Sequence, residues 1–571
     1  MPRRFMPSAL ILCALVGAAS ARPGEGERPY LNYKSVRVSI HTGLDLQRME
    51  KIADSMLSCH ERVGGTVDYA VAPERMADLD ASGLPYVVLN DNLQASIDAE
   101  REAIAADRGT SWFTAYKQYS EIDAKLTSLV AENPAIASRF VLGTNTVENR
   151  QIYGIKITGP ATGAPKPQLM IEGTQHAREW IAAMVPMFVA DQLIQFYGSD
   201  PLITDIVNRA EIHIVPVSNP DGYVYSWLNS GTRLWRKNRR NNNNGSFGVD
   251  NNRNWGYQWG GVGSSGVGSS DVYRGPSAFS EPETRAIRDY ITGLANLRAH
   301  LDWHSYSQLV LWPWGYTDTA TTPDEAQFNR FGQAMRTAIF SATGTPYTAG
   351  AIGPTLYIAD GNINDWVYGV RNVMTYIIEM RDTGATGFQL PAAQIIPTAT
   401  ENFAAWKILA TQAVNPIDFT AVSAPTAALR LAPINLSATL TPTLKTAINP
   451  ASPRVLYRVG NSGPYTPIAM SGGAGGVYTA TIPGQFCGAL VSYYYEAATT
   501  LGDTQDYPNL ALASPLSLTV SNPPSCVAVP GDVTRDGQVT FADLNVILSG
   551  FGAPYTFADL NVVLSNFGAT G

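Results

Sequence analysis

The feature that most constrains this chain is a tetrapeptide, His176-Ala-Arg-Glu179, set where an apolar strand (Leu169-Met170-Ile171) breaks into a long apolar helix. A strand-to-helix turn can aim an imidazole and a carboxylate at one point. Asp302-Trp303-His304-Ser305-Tyr306, far downstream, offers a second imidazole from another strand end. Two imidazoles and one carboxylate are enough to hold a catalytic Zn²⁺, which takes three protein ligands and leaves a fourth position for water. His-x-x-Glu alone occurs by chance in many chains, so its weight comes from the residues that accompany it.

Those residues follow in order: Arg233-Leu-Trp-Arg236, Asp250-Asn-Asn252-Arg253, His304-Ser-Tyr306, Tyr357 in a Gly/Asp-rich stretch, and Glu379-Met-Arg381-Asp382. Arginine offers a rigid fork that matches a carboxylate. A metal beside several such forks suggests a substrate with a free carboxylate near its reacting bond, as at the C-terminus of a peptide. The other histidines read differently. His213 and His300, inside apolar runs, read as satisfied core residues, and His41 and His60 as surface residues. The asparagine run 241–244 reads as a polar loop, and the Gly/Ser/Asn-rich stretch 241–270 as the rim of a cleft.

At this point the chain resembles the zinc metallocarboxypeptidases of the pancreatic carboxypeptidase A/B type, over roughly residues 30–415. The resemblance implies that His176, Glu179 and His304 hold one zinc and that Asp250 orients the first histidine. It implies that Arg236 stabilises the oxyanion, that Asn252 and Arg253 grip the terminal carboxylate, and that Glu379 is the general base. Arg178, Tyr306 and Tyr357 are implied as further substrate contacts. Read singly, Arg236 could belong to a solvated basic run and Tyr357 to ordinary packing. Asn364 falls at the family's main specificity position, though it could also be a turn residue. Relatives with an acid there prefer basic ends and relatives with an aliphatic residue prefer apolar ends; the neutral amide matches neither. With Gly315, Ile352, Ala359 and Ile377 as uncharged walls, a cationic side chain would be desolvated without a partner. Neutral C-terminal residues are therefore expected, aliphatic or aromatic ones first and polar uncharged ones tolerated.

Composition sets the domain plan. The 571 residues are too many for one domain, and 45% hydrophobic residues support ordinary cores. A net charge of -8 gives no hint of nucleic-acid binding. Residues 1–21 read as a secretory signal, with Arg3-Arg4, an apolar run from Ala9 to Val16, and Ala19-Ser20-Ala21 before cleavage. No other apolar stretch is long enough to cross a bilayer, so a secreted protein is expected, with cell-surface association left open. In that oxidising setting Cys487 and Cys526 are expected to pair, two free thiols being the alternative.

Residues 22–108 read as a separate unit. Strands near 36–40, 67–71 and 86–89, with helices over 44–57 and 73–81, predict a small α+β open sandwich. It resembles the activation prosegment of the same family, with Arg108 as the site for a trypsin-like activating protease; a permanent N-terminal domain is the alternative. Residues 109–416 alternate strands and helices, predicting an α/β domain with a mixed sheet flanked by helices, and the family resemblance implies that the sheet is of the eight-stranded, carboxypeptidase-like type. Residues 417–526 carry short strands and turn signals, predicting a β-sandwich of immunoglobulin or fibronectin type III character that serves as a spacer or surface-binding module. Residues 527–571 hold a repeat, Thr540-Phe-Ala-Asp-Leu-Asn-Val and Thr556-Phe-Ala-Asp-Leu-Asn-Val. Asp532, Thr534, Asp536, Gln538 and Asp543, with Gly537, match an EF-hand loop for one Ca²⁺. The whole resembles a dockerin with one of its two loops missing, implying a cohesin-like or cell-surface partner; an acidic helical attachment tail is the alternative.

The expected function is a secreted zinc metallocarboxypeptidase, made as a zymogen, acting on peptide and protein C-termini. A zinc deacylase or amidase acting on cell-wall peptides or N-acyl amino acids is one alternative. A catalytically silent peptide-binding scaffold is another.

Overall fold

The computed structural model describes residues 29–58, 63–106, 111–160, 165–429, 431–485, 488–509, 511–521, 529–534, 538–552 and 555–569. The expected signal segment 1–21, Arg108, all four cysteines and Asp536 lie outside the described residues.

The central element is an eight-stranded mixed sheet. Its order runs Thr348–Ala351, Leu309–Trp312, Met374–Met380, Leu297–Ser305, Gln168–Gly173, Glu211–Val215, Tyr153–Ile157 and Ala137–Val141. The four middle strands from Met374–Met380 to Glu211–Val215 are parallel. Every residue of Leu297–Ser305 and Met374–Met380 is buried, as expected for parallel strands covered on both faces. Helices Ile181–Phe196, Glu325–Thr343 and Ile395–Val414 contribute to the main core around this sheet. The first of these is apolar almost all round, which fits a buried helix. Gly173, at the end of its strand, permits the close approach of that helix: a Cβ there would lie 2.1 Å from the carbonyl oxygen of Ala182.

Strand periodicity then builds one polar face. His300, Asp302 and His304 alternate along one strand, beside Thr375, Ile377 and Glu379 on the next, in register pair by pair. Glu172 pairs with Asp302 from the other side. The catalytic-type residues gather at the carboxyl ends of the strands, where open α/β sheets place their sites.

The N-terminal residues form a four-stranded sheet, in the order Ser55–Met56, Gly65–Val71, Lys34–Ile40 and Tyr86–Asn90. Helices Gly43–Ile52 and Met76–Ser82 accompany it. The first helix stops at Ile52, short of the expected 57, because Ser55 and Met56 pair as a strand with Ala70 and Tyr69. Helix Leu93–Ala106 follows.

Residues 417–521 form two facing sheets, of four and six strands, around a core that includes Leu436, Leu440, Val455, Val491, Tyr493 and Tyr495. This sandwich is docked on the α/β unit. Leu444 is buried in the main core, Arg298 pairs with Asp503 at 2.5 Å, and Gln327 accepts from the Leu444 N–H. In the tail, helices Phe541–Ser549 and Phe557–Ser565 carry the two copies of the repeat.

Candidate active site

Three donor atoms converge at the end of the sheet. His176 Nδ1 lies 2.7 Å from Glu179 Oε1, and His304 Nδ1 lies 3.0 Å from Glu179 Oε2 and 3.1 Å from His176 Nδ1. All three residues are buried. The outer nitrogen of each imidazole faces an acid: His176 Nε2 is 3.2 Å from Asp250 and His304 Nε2 is 2.7 Å from Asp302. A carboxylate behind a ligating imidazole fixes its tautomer and raises its basicity, so the donor set fits a metal such as zinc.

The electrostatics agree. Burial opposes the charge on Glu179, yet His176 and His304 hold its carboxyl well below the usual range. Burial also disfavours the His304 imidazolium, but Asp302 and Glu179 raise its pKa well above the ordinary value. A pocket that stabilises positive charge on a buried imidazole suits a cation.

Around these donors the structure brings most of the expected residues together. Arg236 forks onto Asp250 Oδ2 through Nε and Nη2, at 3.1 and 2.8 Å, with Nη1 3.9 Å from Glu179. The Asn252 amide nitrogen is 3.4 Å from His304 Nε2, and its oxygen accepts from the Ile363 N–H. Arg253 donates to the carbonyls of Asn252 and Gly263 and lies 5.7 Å from the Tyr357 ring. Asn364 is buried at the start of helix Ile363–Arg371. Glu379 sits beside His304 on the neighbouring strand. Burial pushes its carboxyl up to about 8, the nearby His304 and Arg236 acting against that rise. Its Oε2 is buried with no hydrogen-bond partner among the described residues.

Glu379 opens onto a cavity of about 350 Å³ that Tyr306, Tyr357 and Phe388 share with Arg37, Leu57 and Asp68 of the N-terminal unit. Tyr306 donates to Asp68 at 2.7 Å, and Arg178 donates to the carbonyls of Met56 and Leu57. Arg233 pairs with Glu100 in a bidentate contact of 2.5 and 2.9 Å, both side chains being buried. The 262–272 loop rims a second cleft, of about 1170 Å³, with Leu46, Met56 and Tyr357.

The comparisons with known proteins are consistent with this geometry. The zinc carboxypeptidase family matches residues 122–405. A metallocarboxypeptidase A-like protein of Trichophyton verrucosum (strain HKI 0517) is 33% identical over 427 residues, 71% of this chain and 99% of its own length. The chain belongs to the zinc carboxypeptidase family. It is a zinc-dependent enzyme that hydrolyses C-terminal peptide bonds. Mouse carboxypeptidase A2 is 37% identical over 353 residues, 60% of this chain and 82% of its own. Among solved structures, thrombin activatable fibrinolysis inhibitor superposes with a TM-score of 0.62 at 26% identity, covering 68% of this chain and all of that one. Carboxypeptidase A from Helicoverpa armigera gives 0.60 at 26% identity, covering 68% and 98%.

Several residues of this carboxypeptidase site escaped the sequence reading. Asp302 was visible in the motif, and its place two residues before His304 on one strand face was the signal for its pairing. Asp68, Glu100 and Gln175, which donates to Asp302 at 2.5 Å, carried no local signal. Arg381 turns away from the cleft and pairs with Glu401, Gln394 and Thr345. His213 meets Tyr290, and His300 meets Thr375 and Glu172, both as buried residues. In the tail, Asp543 accepts from Thr534 and from the Thr540 N–H. Asp559, in the copy without a loop, makes the same cap with Thr556, so helix capping accounts for this part of the Asp543 contacts.

Proposed function

We propose that the chain is an exported carboxypeptidase zymogen in which His176, Glu179 and His304 hold the zinc and Glu379 moves the proton. The observation that carries this is the pairing of a cation-favouring His176–Glu179–His304 cluster with a burial-raised Glu379 on the adjacent strand, whose Oε2 has no hydrogen-bond partner among the described residues. Zinc, when bound, polarises the scissile carbonyl and acidifies water. Glu379 takes a proton from the attacking water and gives it to the leaving amine. Arg236, oriented by Asp250, faces the charge that develops on the carbonyl oxygen. Asn252 and Arg253 hold the terminal carboxylate, while Arg178 and Tyr306 meet the rest of the peptide. Tyr357 covers the bound end.

The zymogen reading is supported by where the N-terminal unit spends its polar groups. Carbonyls of Met56 and Leu57 occupy Arg178, and Asp68 occupies Tyr306, so the groups assigned to substrate are already engaged. Cleavage near Arg108 by a trypsin-like protease would sever the covalent link. Export is supported by the signal-like residues 1–21; among the described residues no single helix is long and apolar enough to cross a membrane. Neutral specificity is supported by an uncharged cluster of Leu311, Ile352, Tyr357, Ala359 and Ile377. For the tail, the calcium assignment rests on loop spacing alone, and a cohesin-like or cell-surface partner on the dockerin resemblance.

Trypsin-treated protein, given peptides that differ only in the last residue, should release single C-terminal amino acids, and a zinc chelator should stop the release. Retained zinc with proven prosegment removal and no release would sink the assignment and favour a deacylase or a silent binder.

A further inference from the structure

The catalytic reading leaves a second buried polar set unused. His300 is fully buried on the strand that carries His304. Its Nε2 is 3.2 Å from Glu172 Oε1 and its Nδ1 is 2.8 Å from Thr375 Oγ1. Ser218 donates to the other Glu172 oxygen at 2.6 Å. At the far end the Asn364 amide nitrogen donates to Thr375 Oγ1 at 2.7 Å. Asn364 Oδ1 is buried and has no hydrogen-bond partner among the described residues.

A chain that ends on a carboxylate has one sense. Glu172 accepts from Ser218 and from the His300 Nε2–H, so His300 Nδ1 accepts from the Thr375 hydroxyl. The Thr375 oxygen is then left to accept, and only the Asn364 N–H can donate to it. That fixes which way the amide points, an orientation that Asn364 alone would leave open. Burial raises the Glu172 carboxyl, with His300 and Ser218 acting against it, so the sense is best defined where Glu172 is ionised.

Through Thr375, Asn364 joins the strand that carries Ile377 and Glu379 towards the cleft. Thr375 shares a strand face with Ile377, which lies in the apolar cluster with Leu311, Ile352 and Ala359, and with Glu379 above it. Four residues of strand separate Thr375 from Glu379, roughly 13 Å. Asp365, next to Asn364, accepts from the Gly315 N–H at 2.8 Å and ties the helix start to the same wall. A buried acceptor with no partner is costly, and a ligand donor that reaches it removes the cost.

We propose that the Glu172–His300–Thr375 chain turns the Asn364 oxygen into the specificity pocket and makes the enzyme prefer long, uncharged C-terminal side chains that end in a hydrogen-bond donor. Glutamine and tyrosine would exceed their apolar counterparts methionine and phenylalanine. This rests on the carboxypeptidase reading above. Thr375 and His300 are positioning residues here, acting through Asn364.

The test is kcat/KM for the activated full chain, at alkaline pH, on peptides differing only in the last residue. Gln over Met and Tyr over Phe should each reach about tenfold, the size of one buried hydrogen bond, and Glu should fall below Gln. Asn364→Leu should level both ratios. Thr375→Val, which lets the amide turn, should lower the Gln-to-Met ratio through KM rather than kcat. Release with ratios of one or less, or Glu preferred to Gln, overturns the inference while leaving the enzyme assignment standing. The wild-type ratios decide the matter even where a variant fails to fold. No release from any peptide overturns both.

Discussion

Glu179 and Glu379 are carboxylates of one buried floor whose surroundings push them apart. Two imidazoles keep Glu179 ionised, whereas burial pushes Glu379 up to about 8. Such a split is what the proposed roles require, the first holding a cation and the second moving a proton. A cation held by the three donors would favour ionised Glu379 and so lower its pKa. As pH falls through that value the base gains a proton, so turnover is lost on the acid side. Glu379→Gln should keep stoichiometric zinc by metal analysis while kcat drops by about 10²–10⁴; near-normal turnover would remove Glu379 from the chemistry. Asp302→Asn should behave in the opposite way. It leaves the three donors in place but weakens the acceptor behind His304, so zinc should be lost to a competing chelator at about 10–100-fold lower concentration. Unchanged retention would mean that other neighbours, such as Asn252 at 3.4 Å from His304 Nε2, hold the ring without Asp302.

At the scale of elements, the contacts that close the cleft come from one face of the N-terminal sheet and from helix Leu93–Ala106. Glu100 on that helix and Asp68 on strand Gly65–Val71 are both largely buried against the catalytic unit. Removing one partner of a buried ion pair costs about 3–5 kcal/mol. On the zymogen reading, uncleaved protein carrying Glu100→Gln and Asp68→Asn should show more release of C-terminal residues than uncleaved wild type. Equal, negligible rates in both would place the block elsewhere. These contacts also mark where sequence legibility stopped. The strands and helices were readable because each follows its own period, and the donors were readable because His176 and Glu179 are three residues apart. Asp302 was readable in principle from strand alternation. Tyr306–Asp68 and Arg233–Glu100 were not, since each joins residues more than a hundred positions apart and neither side carries a local pattern. Helix 44–57 was overextended because apolar spacing cannot register that Ser55 and Met56 have a strand to pair with.

At the scale of the whole molecule, the β-sandwich is more firmly placed than a spacer needs to be. Arg298 and Asp503 are 5% and 6% exposed and pair at 2.5 Å across the junction. Asp503 lies in the turn between strands Leu490–Ala498 and Thr504–Tyr507, while Arg298 opens the strand that ends near His304. Leu444 from the sandwich is buried in the main core, and Lys445 pairs with Asp324 beside it. The junction therefore combines apolar burial with a desolvated ion pair, and the two units should unfold together. Replacing Asp503 by Leu strands a buried guanidinium and should cost about 3–5 kcal/mol, whereas Arg298→Met with Asp503→Leu should regain most of that by removing both charges. Six residues of strand, roughly 20 Å, separate Arg298 from His304, so release of C-terminal residues below the transition should be unchanged in either variant. Denaturant unfolding followed by tryptophan fluorescence and by far-UV circular dichroism gives the readout. Coincident transitions that shift down in the single variant and recover in the double one are expected. Separate transitions in the wild-type chain would return the sandwich to the role of a tethered module.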